Sequence, residues 1–175
     1  MKYFIFLKGV NVGGNLMVDM TLLKNGLKKA GIENISSYLN SGNLIVETGL
    51  EQKAVVALVE KSVEKLFSLK PAVFAKTGRQ LAKAVSNNPF SDQKDINKGK
   101  LLVYFPSGTV DPDDFKLLSK NPAIDEEYHG NRDLLYVYYH NGAAHSKLTA
   151  NYIDKTLKVV STGRNLNTVE ALLEK

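Results

Sequence analysis

The sequence predicts an α+β fold of two successive β-α-β-β-α-β units. Three observations predict it. Short runs of β-forming residues alternate with segments whose apolar residues recur at helical spacing. Glycine, asparagine and proline punctuate the joins between them. The order strand, helix, strand, strand, helix, strand is met once in each half of the chain.

In the first half, Tyr3-Phe4-Ile5-Phe6-Leu7 is rich in β-formers and reads as a buried strand. A loop with Gly9, Gly13 and Gly14 follows, and Asp19 then caps a helix in which Met20, Leu23, Leu27 and Ala30 share a face. Gly31 supplies the C-terminal stop. Residues 34–39 and 44–47 form two strands joined by Asn40-Ser41-Gly42-Asn43, which has turn chemistry. Val55, Val59, Val63 and Leu66 mark the inner face of a helix over residues 50–68. Pro71 opens a last strand at residues 72–75.

Residues 77–99 connect the halves, with a short helix near 79–85 and a polar stretch from 87 to 98. The order then repeats. Residues 101–105 form a strand, and Pro112 opens a helix through Phe115 and Leu118. Residues 123–129 and 134–140 make a hairpin around Gly130-Asn131. Leu148, Tyr152 and Ile153 lie on one face of a helix ending near Thr156. A short strand at 157–160 and a helix from Asn167 or Thr168 complete the chain. Two ferredoxin-like units with antiparallel sheets are therefore expected, at residues 1–76 and 100–175, packed together because neither alone buries much surface.

Composition narrows the function. With 43% hydrophobic and 23% charged residues, the 175-residue chain has the balance of a globular protein. It has no cysteine, which removes disulfides, thiolate metal sites and cysteine nucleophiles. No apolar run has the length of a membrane span, and residues 1–8 are too short for a signal peptide's apolar region. A cytoplasmic protein with no membrane partner is expected. Residues 1–90 hold 12 basic and 6 acidic side chains, whereas residues 91–175 hold 11 and 12. The basic half suits phosphate-bearing partners, although solvated helix faces also explain such lysines.

Topology points to where a ligand would bind. In a β-α-β-β-α-β unit the loop after the first strand and the turn between the second and third emerge at one end of the sheet. Here these carry Lys8, Asn11, Gly13, Gly14 and Asn15, then Asn40, Ser41 and Asn43. Glycines let a backbone approach a ligand closely, and consecutive N–H groups make an anion-receptive concavity. In the second unit, the loops after its third and fourth strands are expected as neighbours. They carry Ser146-Lys147 and Thr162-Gly163-Arg164-Asn165, with Asn167 beyond, each entering a helix. Helix starts beside a lysine and an arginine suit phosphate or carboxylate, and ordinary capping accounts for the same Ser, Thr and Asn.

Other chemistry is weaker. The glycine loop lacks the Gly-Lys-Ser/Thr ending of a P-loop and lacks the dinucleotide fingerprint. His145-Ser146-Lys147 has no supporting acid. Glu126, His129 and His140 are too loosely spaced to read as a metal set, so no metal and no cofactor is assigned. Tyr136, Tyr138 and Tyr139 invite comparison with RNA-binding sheets, but the segment lacks their glycine-aromatic consensus.

Lys8-Gly9-Val10-Asn11-Val12-Gly13-Gly14, Leu39-Asn40-Ser41-Gly42-Asn43, Asn88-Pro89-Phe90, Ser146-Lys147-Leu148 and Thr162-Gly163-Arg164-Asn165-Leu166-Asn167-Thr168 occur in that order. Together they resemble the uncharacterised bacterial family known as domain of unknown function 1697, over nearly the whole chain. The resemblance implies a small bacterial protein without an assigned activity. The family more often has Arg at Lys8, Gln at Asn40 and Trp at Leu166. The first change keeps charge and loses bidentate geometry.

These readings favour a binding protein or unassigned enzyme that takes a small anionic, phosphate-bearing ligand. Lys8 and Arg164 would supply charge, the glycines and helix starts N–H groups, and Asn11, Asn43 and Asn165 orientation. The alternatives are a nucleic-acid-binding module using the basic half, and a protein–protein adaptor. For the adaptor the motive is the first strand, where Tyr3, Ile5 and Leu7 alternate with Phe4 and Phe6 and both faces need cover.

Overall fold

A computed structural model describes residues 1–14 and 16–175. The chain divides into two compact units, residues 1–81 and 82–175. Each contains a four-stranded antiparallel sheet.

The first unit runs β1 (Lys2–Leu7), α1 (Met20–Lys29), β2 (Asn34–Ser37), β3 (Asn43–Glu47), α2 (Gln52–Phe67) and β4 (Val73–Thr77). Its strands lie in the order β2-β3-β1-β4, the ferredoxin-like arrangement expected from the sequence. Tyr3, Ile5 and Leu7 project to the face that packs on Leu23 and Leu27 of α1 and on Val55, Val59 and Val63 of α2. The alternate residues Phe4 and Phe6 are also buried. Both faces of β1 therefore have the cover that its sequence demanded, and a stranded apolar face supplies no argument for an adaptor. Asp19 caps α1 by accepting from the Thr21 and Leu22 N–H groups at 2.8 and 2.9 Å. Gly31 follows its end at φ +98°.

Between β4 and the next strand stand α3 (Gly78–Ser86) and a turn-rich stretch, and the division into units falls within α3. The second unit continues with β5 (Leu101–Pro106), β6 (Glu127–Gly130), β7 (Leu135–Tyr138), α4 (Ala150–Leu157), β8 (Ser161–Asn165) and α5 (Leu166–Leu173). Its sheet order is β6-β7-β5-β8, the same as in the first unit. Phe115, Leu118, Leu135, Val137, Leu148 and Ile153 belong to its core.

Three local differences from the sequence expectation have physical causes. The helix opened by Pro112 is a 3-10 helix, Pro112–Lys120, capped by Asp111. The following strand begins at Glu127 rather than 123, because Asn121 holds a turn that bonds the N–H groups of Ala123 and Ile124. The largest shift concerns β8. Residues 161–165, expected as a loop, are the strand itself, with Thr162, Gly163 and Arg164 paired to Phe105, Tyr104 and Val103. Lys158 ends α4 in the left-handed conformation. Asp154 then anchors the new strand by accepting from the Ser161 N–H at 2.9 Å and the Ser161 hydroxyl at 2.6 Å. A Cβ at Gly163 would lie 2.8 Å from the Tyr104 ring. The glycine that looked like a loop signal is there to let β8 pair beside an aromatic.

Candidate functional site

At one end of the first sheet the loop after β1 meets the β2–β3 turn, as the topology required. The register Phe6–Asn43 starts the turn beside the end of β1, and the Leu7 N–H donates to the Gly42 carbonyl at 2.9 Å. Asn11 joins the two loops directly. Its amide nitrogen donates to the Asn40 carbonyl at 2.6 Å and to the Val18 carbonyl at 2.9 Å. Its side-chain oxygen accepts from the Val18 N–H at 2.8 Å. Asn11 sits at φ +56°, a conformation that asparagine tolerates better than most residues.

Asn43 is fully buried, and its amide donates to the Tyr38 carbonyl at 3.0 Å and the Ser41 hydroxyl at 3.1 Å. The carboxamides of Asn11 and Asn43, expected to orient a ligand, thus hold the loops in shape. Asn11→Ala removes three hydrogen bonds from a half-buried site. It is expected to cost about 1–2 kcal/mol and to speed amide exchange at Val18, which hydrogen-exchange mass spectrometry would detect. Unchanged exchange there would show that the two loops do not depend on this residue.

Gly13 and Gly14 lie beyond the latch, both exposed, at φ +61° and +77°. Positive φ at two successive residues is the requirement of a type I′ turn. Their N–H groups have no acceptor among the described residues. A Cβ built on either would meet nothing within 4 Å, so the glycines serve backbone conformation rather than packing. Lys8 is half-buried at the root of this loop, and its N–H donates to the Ala72 carbonyl at 2.9 Å. Asn40 is exposed, Ser41 is half-buried, and Asn15 lies outside the described residues.

The second unit's candidates are arranged differently from expectation. Ser146 does not start α4. Its hydroxyl caps the Leu148 N–H at 2.8 Å, and Thr149 caps α4 itself. Lys147 is exposed and makes no hydrogen bond or ion pair among the described residues. Thr162 and Arg164 stand on β8, and Asn165 caps α5 by accepting from the Thr168 N–H at 2.8 Å. The Leu166 N–H donates to the Lys98 carbonyl at 3.2 Å, which leaves the helix start largely satisfied from within. Asn167 is exposed in its first turn.

Arg164 donates to the Thr162 hydroxyl at 2.9 Å and to the Gly163 carbonyl at 2.8 Å. Burial of its guanidinium lowers its pKa to about 10. It stays charged at neutral pH, in a setting where charge is costly.

Residues 1–136 match the model of the family described as protein of unknown function DUF1697. The chain belongs to that family. No curated protein matches it. A solved structure, described as that of a conserved bacterial protein from Streptococcus pneumoniae, shares the fold of this DUF1697 protein. The TM-score is 0.73 at 20% identity, covering 99% of this chain and 97% of that one. Leu166 is buried and forms part of the packing.

Among the described residues, no three of His, Asp and Glu gather closely enough to hold a metal. No helix among them is long and apolar enough to cross a membrane. Tyr136 and Tyr139 are buried, and their hydroxyls donate to the Ala84 and Leu148 carbonyls, both at 2.8 Å. Tyr138 packs against Phe90 and His140. These rings are committed to the fold and do not form an open stacking platform of the kind RNA-binding sheets use.

The buried pair Tyr104–Tyr139, with its hydroxyl oxygens 2.7 Å apart, escaped sequence reasoning. Its two members stand 35 residues apart in sequence, one on β5 and the other just after β7.

Proposed function

We propose that this DUF1697 protein binds a small anionic, phosphate-bearing ligand on the glycine- and asparagine-rich loops of its first unit. The observation that carries the reading is the exposed Gly13-Gly14 turn, whose N–H groups lack acceptors among the described residues and whose loop Asn11 holds in place. Successive backbone N–H groups presented by a turn can make a concavity of partial positive charge. A loop already fixed by internal bonds loses little entropy when an anion settles into it.

Lys8 adds a full charge at the base of the loop, and Ser41 a hydroxyl. Arg164, Asn165 and Asn167 form a second polar group, in the second unit. Less weight falls on them, because the helix starts beside them are capped from within. The reading is of a binding function, and no reaction is assigned to it.

Calorimetric titration with inorganic phosphate, sugar phosphates and nucleotides tests this. At least one of these anions is expected to bind, and Lys8→Ala to weaken it about tenfold, the worth of one charged hydrogen bond. Absence of heat and of thermal stabilisation with every anion would overturn the reading. Loss of binding in Arg164→Ala with full binding in Lys8→Ala would move the site to the second unit.

A further inference from the structure

Contrary to the expectation from the sequence that no membrane partner is involved, we propose that the same two loops dock the protein on a membrane surface rich in anionic phospholipid, with Val12, Leu16, Met17 and Leu39 entering the bilayer interface. This rests on the phosphate reading above and names the source of the phosphate as a lipid headgroup.

The four side chains are exposed by 60%, 39%, 65% and 57% respectively. The loops that carry them are tied together. The Asn11 N–H donates to the Leu16 carbonyl at 3.2 Å. The Asn11 side chain donates to the carbonyl of Asn40, next to Leu39. Scattered exposed leucines are ordinary on any surface. A group of this kind on two latched loop tips is not scattered.

Backbone conformation makes the case sharper. Leu16 and Leu39 sit at φ +47° and +56°. That region is strained for a branched side chain and easy for glycine or asparagine. Neither leucine is buried in the core, Leu39 being 57% exposed and Leu16 39%. Core burial does not account for leucine at either place, whereas insertion into an apolar medium does. Strain retained without a structural return points to function.

Charge selects the partner. Residues 1–81 carry 11 Lys and Arg against 6 Asp and Glu. Glu33 precedes β2, Glu47 ends β3 and Glu51 precedes α2, at the opposite end of the sheet from the loops, while Glu60 and Glu64 lie farther along α2, where Glu64 pairs with Lys70 at 2.8 Å. Asp19 is the acidic side chain on the loops, and it is engaged in capping α1. Lys8 stands at their root. An apolar tip backed by a basic body matches an anionic membrane interface. Four side chains fall well short of the roughly 20–30 residues a stable protein interface takes from each side, whereas shallow insertion needs only a few.

Sedimentation of the full chain with vesicles tests the proposal. Binding to vesicles of phosphatidylcholine mixed with phosphatidylglycerol is expected, with much weaker binding to phosphatidylcholine alone and loss of binding as salt rises. The double variant Leu16→Asn, Leu39→Asn is expected to bind the mixed vesicles at least about tenfold more weakly, since each leucine contributes its apolar transfer. Its melting temperature should hold or rise, because asparagine suits the left-handed backbone.

Equal vesicle binding by the double variant, or no binding by the natural chain, would overturn the proposal. So would a vesicle-free dimer that the double variant dissolves, since the surface would then join two copies. Binding of free glycerol phosphate without vesicle binding would sink this inference and leave the proposed function standing. Binding of vesicles without any free phosphate ester would do the reverse.

Discussion

Gly42→Ala is expected to destabilise the first unit by about 3 kcal/mol, combining left-handed strain with overpacking. Gly42 sits at φ +76°, where an L side chain is strained whatever the space around it. Space is also lacking. A Cβ there would lie 2.4 Å from a Val10 methyl, 3.1 Å from the Leu7 Cβ and 3.2 Å from the Leu7 carbonyl oxygen. Val10 and Leu7 are fully buried and cannot swing away. Relief requires moving the turn, and the turn carries the Leu7–Gly42 bond and the Asn11–Asn40 latch.

For a unit of this size the loss corresponds to a fall in melting temperature of about 10–20 °C, measurable by calorimetry or circular dichroism. Gly13→Ala provides the contrast. It shares the positive φ but meets nothing within 4 Å, so it should cost only the strain, about 1 kcal/mol. Equal losses at the two glycines would mean that the close approach at Gly42 does not matter.

The same contrast shows what a sequence reader can and cannot see in this chain. Strand and helix order was legible, because Tyr3–Leu7, the α2 valines and the β7 tyrosines carry their periodicity openly. Given that order, the meeting of residues 8–14 with 40–43 followed from topology alone. The work each polar residue does there was not legible. Asn11 and Asn43 look like ligand-facing carboxamides in a polar loop, and only coordinates reveal that their donors end on backbone carbonyls and the Ser41 hydroxyl.

The β8 segment misled for a related reason. Ser-Thr-Gly-Arg-Asn has loop composition, and its strand character comes from Tyr104 and Val103 on a partner almost sixty residues earlier. Leu16 and Leu39 were invisible in the opposite sense. Leucine in a sequence suggests core, and nothing local announces a left-handed, exposed one.

Buried hydroxyls account for the second large effect, and their sign can be worked out. Tyr139 donates to the Leu148 carbonyl, so the shared hydrogen between the two tyrosines must come from Tyr104. Tyr139→Phe keeps the ring and removes the hydroxyl. It leaves the Tyr104 hydroxyl and the Leu148 carbonyl without these partners in the core, at an expected cost of about 2–3 kcal/mol at neutral pH.

Burial pushes the Tyr104 pKa from 10.0 up to about 12, and burial together with Tyr104 raises that of Tyr139. Below pH 10 both states keep their phenolic protons, and the stability due to the buried pair is fully present. Between pH 10 and 12 the unfolded chain releases these protons while the native chain holds them. The native state then binds more protons, and stability falls as pH rises. For Tyr104 alone the two-unit gap is worth about 2–3 kcal/mol.

Arg164 acts in the opposite direction. Its native pKa of about 10 lies below the ordinary 12.5, so over that interval the native state binds fewer protons and gains stability. The difference between the natural chain and Tyr104→Phe isolates the tyrosine contribution. That variant should lose stability more gently from pH 10 to 12. Eight tyrosines and no tryptophan make absorbance near 295 nm a direct count of phenolate. Phenolate from the buried pair should appear only together with unfolding. Its appearance in the folded protein near pH 10 would show that water reaches the two hydroxyls, and that the core of the second unit is not closed over them.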